Sequence, residues 1–598
     1  MAPRHFFTAT AILGVLIGVI WDTCLCRETD LRQVQTEKKA ESPPADLILH
    51  NARVVTVDER MSIAEALAVR DGRIIAVGKN ADILRWQGPK TTMIDAQGRM
   101  VLPGLYDSHT HPLQAAWSEA EGPLPQFRSV AEVLEAIRAQ AQRTPKGEWI
   151  VIRYGFPTRL KEARFPTRAE LDAAAPEHPV LYHAGPAGVV NSLGLKVSGI
   201  TRHTKDPPAG QIVRDPKTGE PTGLLRNAYS VLKGVPGGGE RLTPEQRQAA
   251  VKKLFALYNA HGLTSISDRN AGPNALKLYR DLQQRGELTV RVNVARSFSP
   301  TGNADDLIRR LEQLLGPEKQ DGPTGAGDDW VRIGPIKIFL DGGMLNGTAY
   351  MRQPWPKGEA YQVTEENYRG LLFVPPEQLQ TFCVEAARRR WAVTAHCAGE
   401  AAMDVLLDAY EFADRFVPIR DLRFCITHAN FPSQHNLERC RKLGVCADIQ
   451  PAWLYKDGDT LLRLLGPERM RWFQPYQSWW KYTTIGGGSD HMIRTDPFSS
   501  TNPWSPWLGM WVAITRRLES GQVHQPAEAL TREQALRLYT INNAYLHREE
   551  KQKGSLEVGK LADFILIDRD IFTCPVDDIR DTRVLLTGVG GRIVYDRR

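Results

Sequence analysis

The chain has 598 residues, 42% hydrophobic and 24% charged, the balance of an ordinary water-soluble fold and too long for one small domain. Its 76 lysines and arginines exceed its 69 acids by a formal +7, but the two signs are interleaved along the whole chain. That excludes a concentrated basic segment, and with it a nucleic-acid partner, from the reading.

At the N-terminus, Arg4 precedes an apolar run from Phe6 to Trp21. The run is short for a membrane span and suits the hydrophobic region of a signal peptide. Residues 1–26 are read as that signal and residues 27–45 as a polar, proline-ended linker. The alternative is an uncleaved N-terminal anchor. Both place the body of the protein outside the cytoplasm, in the periplasm or beyond the cell. The cysteines that remain, Cys383, Cys397, Cys425, Cys440, Cys446 and Cys574, fit neither a zinc ribbon nor a dense disulfide framework.

Residues 46–103 alternate as short strands broken by turns such as Asp71-Gly72, and residues 541–598 answer in kind with "ADFILIDRD" and "VLLTGVGGRIVYD". One small β-sandwich built from both ends is expected, with residues 104–540 inserted into it. The middle repeats strand then helix. "GLYDSHTH", "LTSISDR", "TVRVNVARS", "GPIKIFLDGG", "WAVTAHC", "RFCITHAN", "VCADIQPAW" and "TTIGGGSDH" give eight strands. The fold class is therefore α/β, a (β/α)8 TIM-type barrel. The spacer at about 112–260 is too long for one crossover and implies an inserted subdomain.

Chemistry in such a barrel sits at the C-terminal ends of the strands. His109 and His111 end the first strand and, two residues apart, share a face. Alone, such a pair is as well explained by local hydrogen bonds. Four further residues change the weight: Lys337 in strand four, His396 ending strand five, His428 ending strand six and Asp490 ending strand eight. Six such groups on five strand ends are poor core packing and a good metal centre. Asp107 falls deeper on the same face, as a partner of a ligand histidine or as a strand-end cap. His491 and Cys397 alternate away from the mouth; the cysteine reads as a buried thiol, not a nucleophile.

The ordered set "LPGLYDSHTHP", "RFPTRAELDAAAPEHPV", "GEPTGLL", "GLTSISD", "IKIFLDGG", "AHCAGEAAMDVLLDAYE", "ITHA", "GGGSD" and "GSLEVGKLADFILID" spans some 550 residues. It resembles the amidohydrolase superfamily, in its amidohydrolase-3 (YtcJ-like) branch that includes N-substituted formamide deformylases. The resemblance implies one or two divalent metal ions, zinc suiting imidazole best. By that likeness His109, His111 and Asp490 hold the more buried ion. His396 and His428 hold a second, or His396 joins the first where there is one. Lys337 matches a position that carries a carboxylated lysine in some members; an ion pair with Asp341 is the alternative. The catalytic roles implied are a proton acceptor at Asp490, a carbonyl-polarising group that is His428 or the metal, and Lys337 as the bridge.

Two segments depart from the family's wording. "HAGPAGVVNS" has Pro186 where many relatives have histidine, with His183 upstream, and strand four runs on as "DGGMLNGTA". Residues 453–482, rich in Trp and Tyr, are either an aromatic lid or a packed loop. The function implied is hydrolysis of a non-peptide carbon–nitrogen bond in a small amide, N-substituted formamide or cyclic amide. The alternatives are ester or lactone hydrolysis on the same site, and a secreted binding protein that has lost turnover. The partner implied is a small-molecule substrate; a homodimer is compatible with the sequence.

Overall fold

Eight strands, β1 (Leu105–Thr110), β2 (Leu263–Ala271), β3 (Arg291–Ser297), β4 (Val331–Phe339), β5 (Val393–Cys397), β6 (Cys425–His428), β7 (Cys446–Ile449) and β8 (Ile485–Gly487), lie side by side in chain order, all parallel. This computed structural model describes residues 43–120, 122, 124–153, 155–237, 242–316 and 321–598, and the account below is of the unit Pro44–Arg598. The signal expected over residues 1–26, and nearly all of the linker, lie outside the described residues. Among the described residues no helix is long and apolar enough to cross a membrane.

The strands are buried almost throughout, as parallel strands covered on both faces must be. The helices between them start where their sequences say. Pro244–Ala260 opens behind Thr243, whose hydroxyl accepts from the Gln246 N–H while the Gln246 side chain reaches back to the Thr243 N–H. Gln434–Leu443 has the same reciprocal cap at Ser433 and Asn436 and ends on Gly444 at φ 71°.

The ring closes between β8 and β1. Thr110 bridges His491 in parallel, the Asp490 N–H donates to the His109 carbonyl at 2.8 Å, and the His111 N–H donates to the His491 carbonyl at 2.8 Å. Glycine makes this approach feasible: a Cβ on Gly488 would stand 2.6 Å from His109 Cβ and 2.8 Å from the His109 nitrogen. Asp107 ties the same seam, its Oδ1 accepting from the N–H groups of His109 and Ser489, each at 3.0 Å.

Within the long spacer, helices Pro112–Ser118 and Pro244–Ala260 pack on each other, and the second also lies on β2. The separate unit between them is a five-stranded sheet running Gln211–Arg214, Pro221–Arg226, Ala187–Val190, Val180–Ala184, Ile150–Arg153. The two ends of the chain make two further sheets. One has four strands from residues 47–95. The other joins Arg53–Val55, Ile63–Ala64 and Met100–Pro103 to Phe564–Ile567, Val584–Val589 and Arg592–Asp596. Alternation decides the faces. Leu47 and Leu49 meet Val54, Val101, Phe564 and Leu566 between the sheets, while Ile48 turns to Ala66, Ala68 and Ile83 outside.

Candidate metal centre

Three of the residues singled out in the sequence converge. One ligand atom from each of His109, His111 and Asp490 lies within 4.8 Å of the others. His109 Nε2 and His111 Nε2 both face Asp490 Oδ1, at 3.3 and 3.1 Å. The His428 ring stands 5.1 Å from that of His109, and the His396 ring 4.5 Å from that of His428, centre to centre.

Hydrogen bonds fix which nitrogen each ring presents. His109 donates from Nδ1 to Asp448 Oδ2 at 3.0 Å, His428 from Nδ1 to Gln450 Oε1 at 2.7 Å, and His396 from Nε2 to the Gly342 carbonyl at 2.9 Å. That leaves the lone pairs of His109 Nε2, His428 Nε2 and His396 Nδ1 for the mouth of the barrel. All three rings are neutral, the state a ligand needs. Burial, helped by the Lys337 charge, holds His109 well below the ordinary imidazole range and His396 at about 3; burial, helped by the His396 ring, does the same for His428.

Lys337 is buried and its Nζ has no hydrogen-bond partner. The expected alternative, an ion pair with Asp341, is not formed. Asp341 instead accepts backbone N–H bonds from Tyr350, Ala398 and Gly399, each at 2.9 Å, and burial raises its carboxyl to about 7. Burial and the Arg269 guanidinium push the Lys337 ammonium down to about 7. A lysine in that state is in part the neutral amine at physiological pH, able to add carbon dioxide, release a proton and become an anionic carbamate beside a dication. The donor set thus fits a metal, with or without that modification.

Residues 92–595 match the amidohydrolase family of the amidohydrolase-3 type. The chain belongs to the amidohydrolase family. It is a hydrolase of carbon–nitrogen bonds. N-substituted formamide deformylase of Arthrobacter pascens is 29% identical over 92% of this chain and 98% of its own length. The putative amidohydrolase YtcJ of Bacillus subtilis is 27% identical over 92% and 99%. In fold, the chain is similar to an uncharacterized metal-dependent hydrolase of Pyrococcus horikoshii, with a TM-score of 0.63 at 23% identity over 89% of this chain and 99% of that one.

This amidohydrolase also holds its site with residues that the sequence reading passed over. Asp448 and Gln450, two apart at the end of β7, orient His109 and His428; Asp448 further accepts from Ser108 Oγ at 2.6 Å and lies 3.1 Å from Arg269 Nη2. The signal was the one used for His109 and His111, two polar residues at alternate positions on an apolar strand. Asn502 donates from Nδ2 to the Asp490 carbonyl at 2.7 Å and to Asp490 Oδ2 at 3.2 Å. Asp107 proves a strand-end tie, with burial raising it to about 7. His491 bonds Tyr258 through Nδ1 at 2.7 Å, away from the mouth. Cys397 is buried, its thiol pushed well up by burial.

Residues 453–482 form helix, not loop, in the segments Pro451–Met470 and Tyr476–Tyr482. Trp453 nonetheless covers the site, its ring stacked on His428 at 4.4 Å and 14°. The Phe339 ring lies 5.4 Å from that of His396, centre to centre. The two departures from family wording touch each other: Asn346 donates from Nδ2 to the Ala184 carbonyl at 2.7 Å, and Tyr229, stacked on His183, donates to the Gly185 carbonyl at 3.0 Å.

Proposed function

We propose that the chain hydrolyses a small amide, N-substituted formamide or cyclic amide at this centre. His109, His111 and Asp490 would hold a divalent ion, zinc by the chemistry of the donors. His396 and His428, with a carboxylated Lys337 as bridge, would hold a second. Such an ion, when bound, acidifies water and polarises a carbonyl. The observation that carries the reading is the convergence of the His109, His111 and Asp490 ligand atoms within 4.8 Å, beside two further neutral imidazoles.

The chain's own groups do the rest. Asp490, with Oδ2 on Asn502 and Oδ1 toward the histidines, accepts the proton of the attacking water and returns it to the leaving amine nitrogen. His428 is held by Gln450 through Nδ1 so that its Nε2 lone pair is kept for the second ion. Trp453, buried and stacked on His428, excludes water there, and with Phe339 beside His396 it favours an apolar group next to the scissile bond. The Arthrobacter pascens deformylase, by its name, acts on an N-substituted formamide, which supports that class here. Metal analysis together with a panel of formamides, N-acyl amines and cyclic amides tests the reading. Turnover that tracks bound metal is expected. A metal-replete preparation idle on every amide, or active on esters and lactones alone, would overturn it.

A further inference from the structure

A cavity of about 2350 Å³ runs outward from His111. Among the described residues its walls carry ten lysines and arginines against four aspartates and glutamates, where the chain as a whole is nearly balanced at 76 to 69. Three of the four acids are engaged: Glu519 with Lys456, Asp459 with Ser520, and Asp268 with the Tyr279 hydroxyl. The cations are not matched in the same way. Arg128, Arg143, Lys161 and Arg463 are exposed on the walls and form no ion pair among the described residues.

Arg494 is the exception in depth. It lines the same cavity but is only 9% exposed. Its Nη1 donates to the Ser499 carbonyl at 3.0 Å and its Nη2 to the Pro125 carbonyl, while Nε has no partner. The nearby carboxylate, Glu119, is taken by the Thr495 N–H and hydroxyl at 2.8 and 2.7 Å. A guanidinium stays charged at any physiological pH, and burying one is costly; the Glu119 carboxylate supports that charge from nearby but forms no direct ion pair with it. A cleft lined by one sign of charge also concentrates ligands of the other.

We propose that the cavity binds an oxyanion of the substrate, a carboxylate or phosphate remote from the scissile bond, on Arg494, so that the amide hydrolysed is an acidic one. The exposed cations draw the anion in and Arg494 receives it. The inference rests on the proposed hydrolase reading for its meaning, but its binding arm stands alone.

That arm uses the metal-loaded full chain and titration calorimetry with glutarate, inorganic phosphate and neutral glutaramide. Glutarate or phosphate should bind and glutaramide should not, the two anions distinguishing the source of the oxyanion. Arg494→Gln should weaken the anion by about tenfold or more, the worth of one hydrogen bond to a charged group. Arg463→Gln, on the exposed wall, should reduce affinity at low salt and leave it unchanged at high salt. Anion affinity that survives in Arg494→Gln would mean binding on the metal, and it would overturn the proposal, as would equal binding of glutaramide or no anion binding at all. Should Arg494→Gln misfold, as its melting curve would show, glutarate titrated into the metal-free full chain decides instead: binding kept without metal supports the cavity site, and binding lost with the metal overturns it. In the activity arm, an amide bearing a carboxylate should exceed its methyl ester in kcat/KM; equal values would overturn the proposal. Anion binding without turnover of any amide would count against the hydrolase reading alone.

Discussion

Asp490 sits at φ 56°, and His428 and Ala429 at 74° and 47°, left-handed conformations that a non-glycine residue adopts at a cost of roughly 1–3 kcal/mol each. Two of these three are proposed to act on metal or substrate, and Asn502 grips Asp490 by both carbonyl and carboxylate. Asp490→Asn should cut turnover by about 10²–10⁴, because an amide cannot accept the proton. Rate, metal content and melting temperature are measured together; near-normal turnover would remove Asp490 from the reaction. Asp448→Asn should leave chemistry possible but lower metal affinity by about 10–100-fold, since it is the carboxylate that fixes the His109 ring. A chelator competition that gives unchanged affinity would refute that role. Lys337 gives a pH dependence. Its amine is neutral above about 7, against 10.5 for an ordinary lysine, so carboxylation should rise as pH rises through neutrality. Isotopically labelled bicarbonate should yield a carbamate signal above neutrality that fades below it and is absent in Lys337→Met. His109, His111 and Asp490, whose ligand atoms converge, were legible in the sequence because each is an ionisable group ending or lining an apolar strand, as Lys337, His396 and His428 also are. Asn502 was not, since only the fold brings a loop asparagine back to a residue twelve positions earlier.

Strands and their seams were legible at the level of elements, because parallel strands are apolar runs and the helices between them are capped by Thr, Ser and Pro. Residues 453–482 were harder. Gly466, at φ 76°, and Pro467 break a helix there whose buried face carries Trp453, Leu454 and Leu461. That helix is tied to the inserted sheet's flank by Arg159, which forks onto Asp457 through Nε at 2.9 Å and Nη2 at 2.8 Å; Thr158 donates to the same carboxylate at 2.8 Å. Asp457 is fully buried and Arg159 nearly so. Asp457→Ala should therefore cost about 3–5 kcal/mol by stranding a buried guanidinium, and the Asp457→Ala/Arg159→Met double variant should recover much of it. Urea unfolding of the two variants checks this; a single variant as stable as the parent would show the pair to be incidental. Gly488→Ala tests the seam. Its methyl group would meet backbone as well as the side chain of His109, so the barrel should fail to close, seen as loss of soluble protein or of bound metal.

Across the whole molecule, the sheet that joins residues 53–103 to 564–596 makes the two ends of the chain one body, and Arg291 on β3 clasps Asp563 through two bonds of 2.7 and 2.9 Å to fasten it to the barrel. Strand patterning at both ends foretold the sheets; the clasp, spanning 272 positions, left no local trace. The same burial that packs this body has a consequence at alkaline pH. Cys383, Cys397, Cys425, Cys440 and Cys446 are free and buried, and burial pushes every one of their thiols above the ordinary value of 9.0. A folded-state pKa raised in this way contributes stability that is complete below pH 9 and lost as pH climbs past it, because the unfolded chain releases protons that the folded one keeps. The buried tyrosines Tyr106, Tyr258, Tyr279 and Tyr410 act in the same direction. Lys337 and Lys553, both lowered by burial, oppose them, but they are fewer. Stability should therefore fall above about pH 9, each such thiol contributing about 1.4 kcal/mol per pH unit once the unfolded form ionises. Denaturant unfolding from neutrality to about pH 10 would measure the fall, and Cys383→Ala should flatten its slope by one proton whatever it does to stability at neutrality. A stability curve level across that range would show that these thiols ionise alike in both states, and that they are less sealed from water than their burial says.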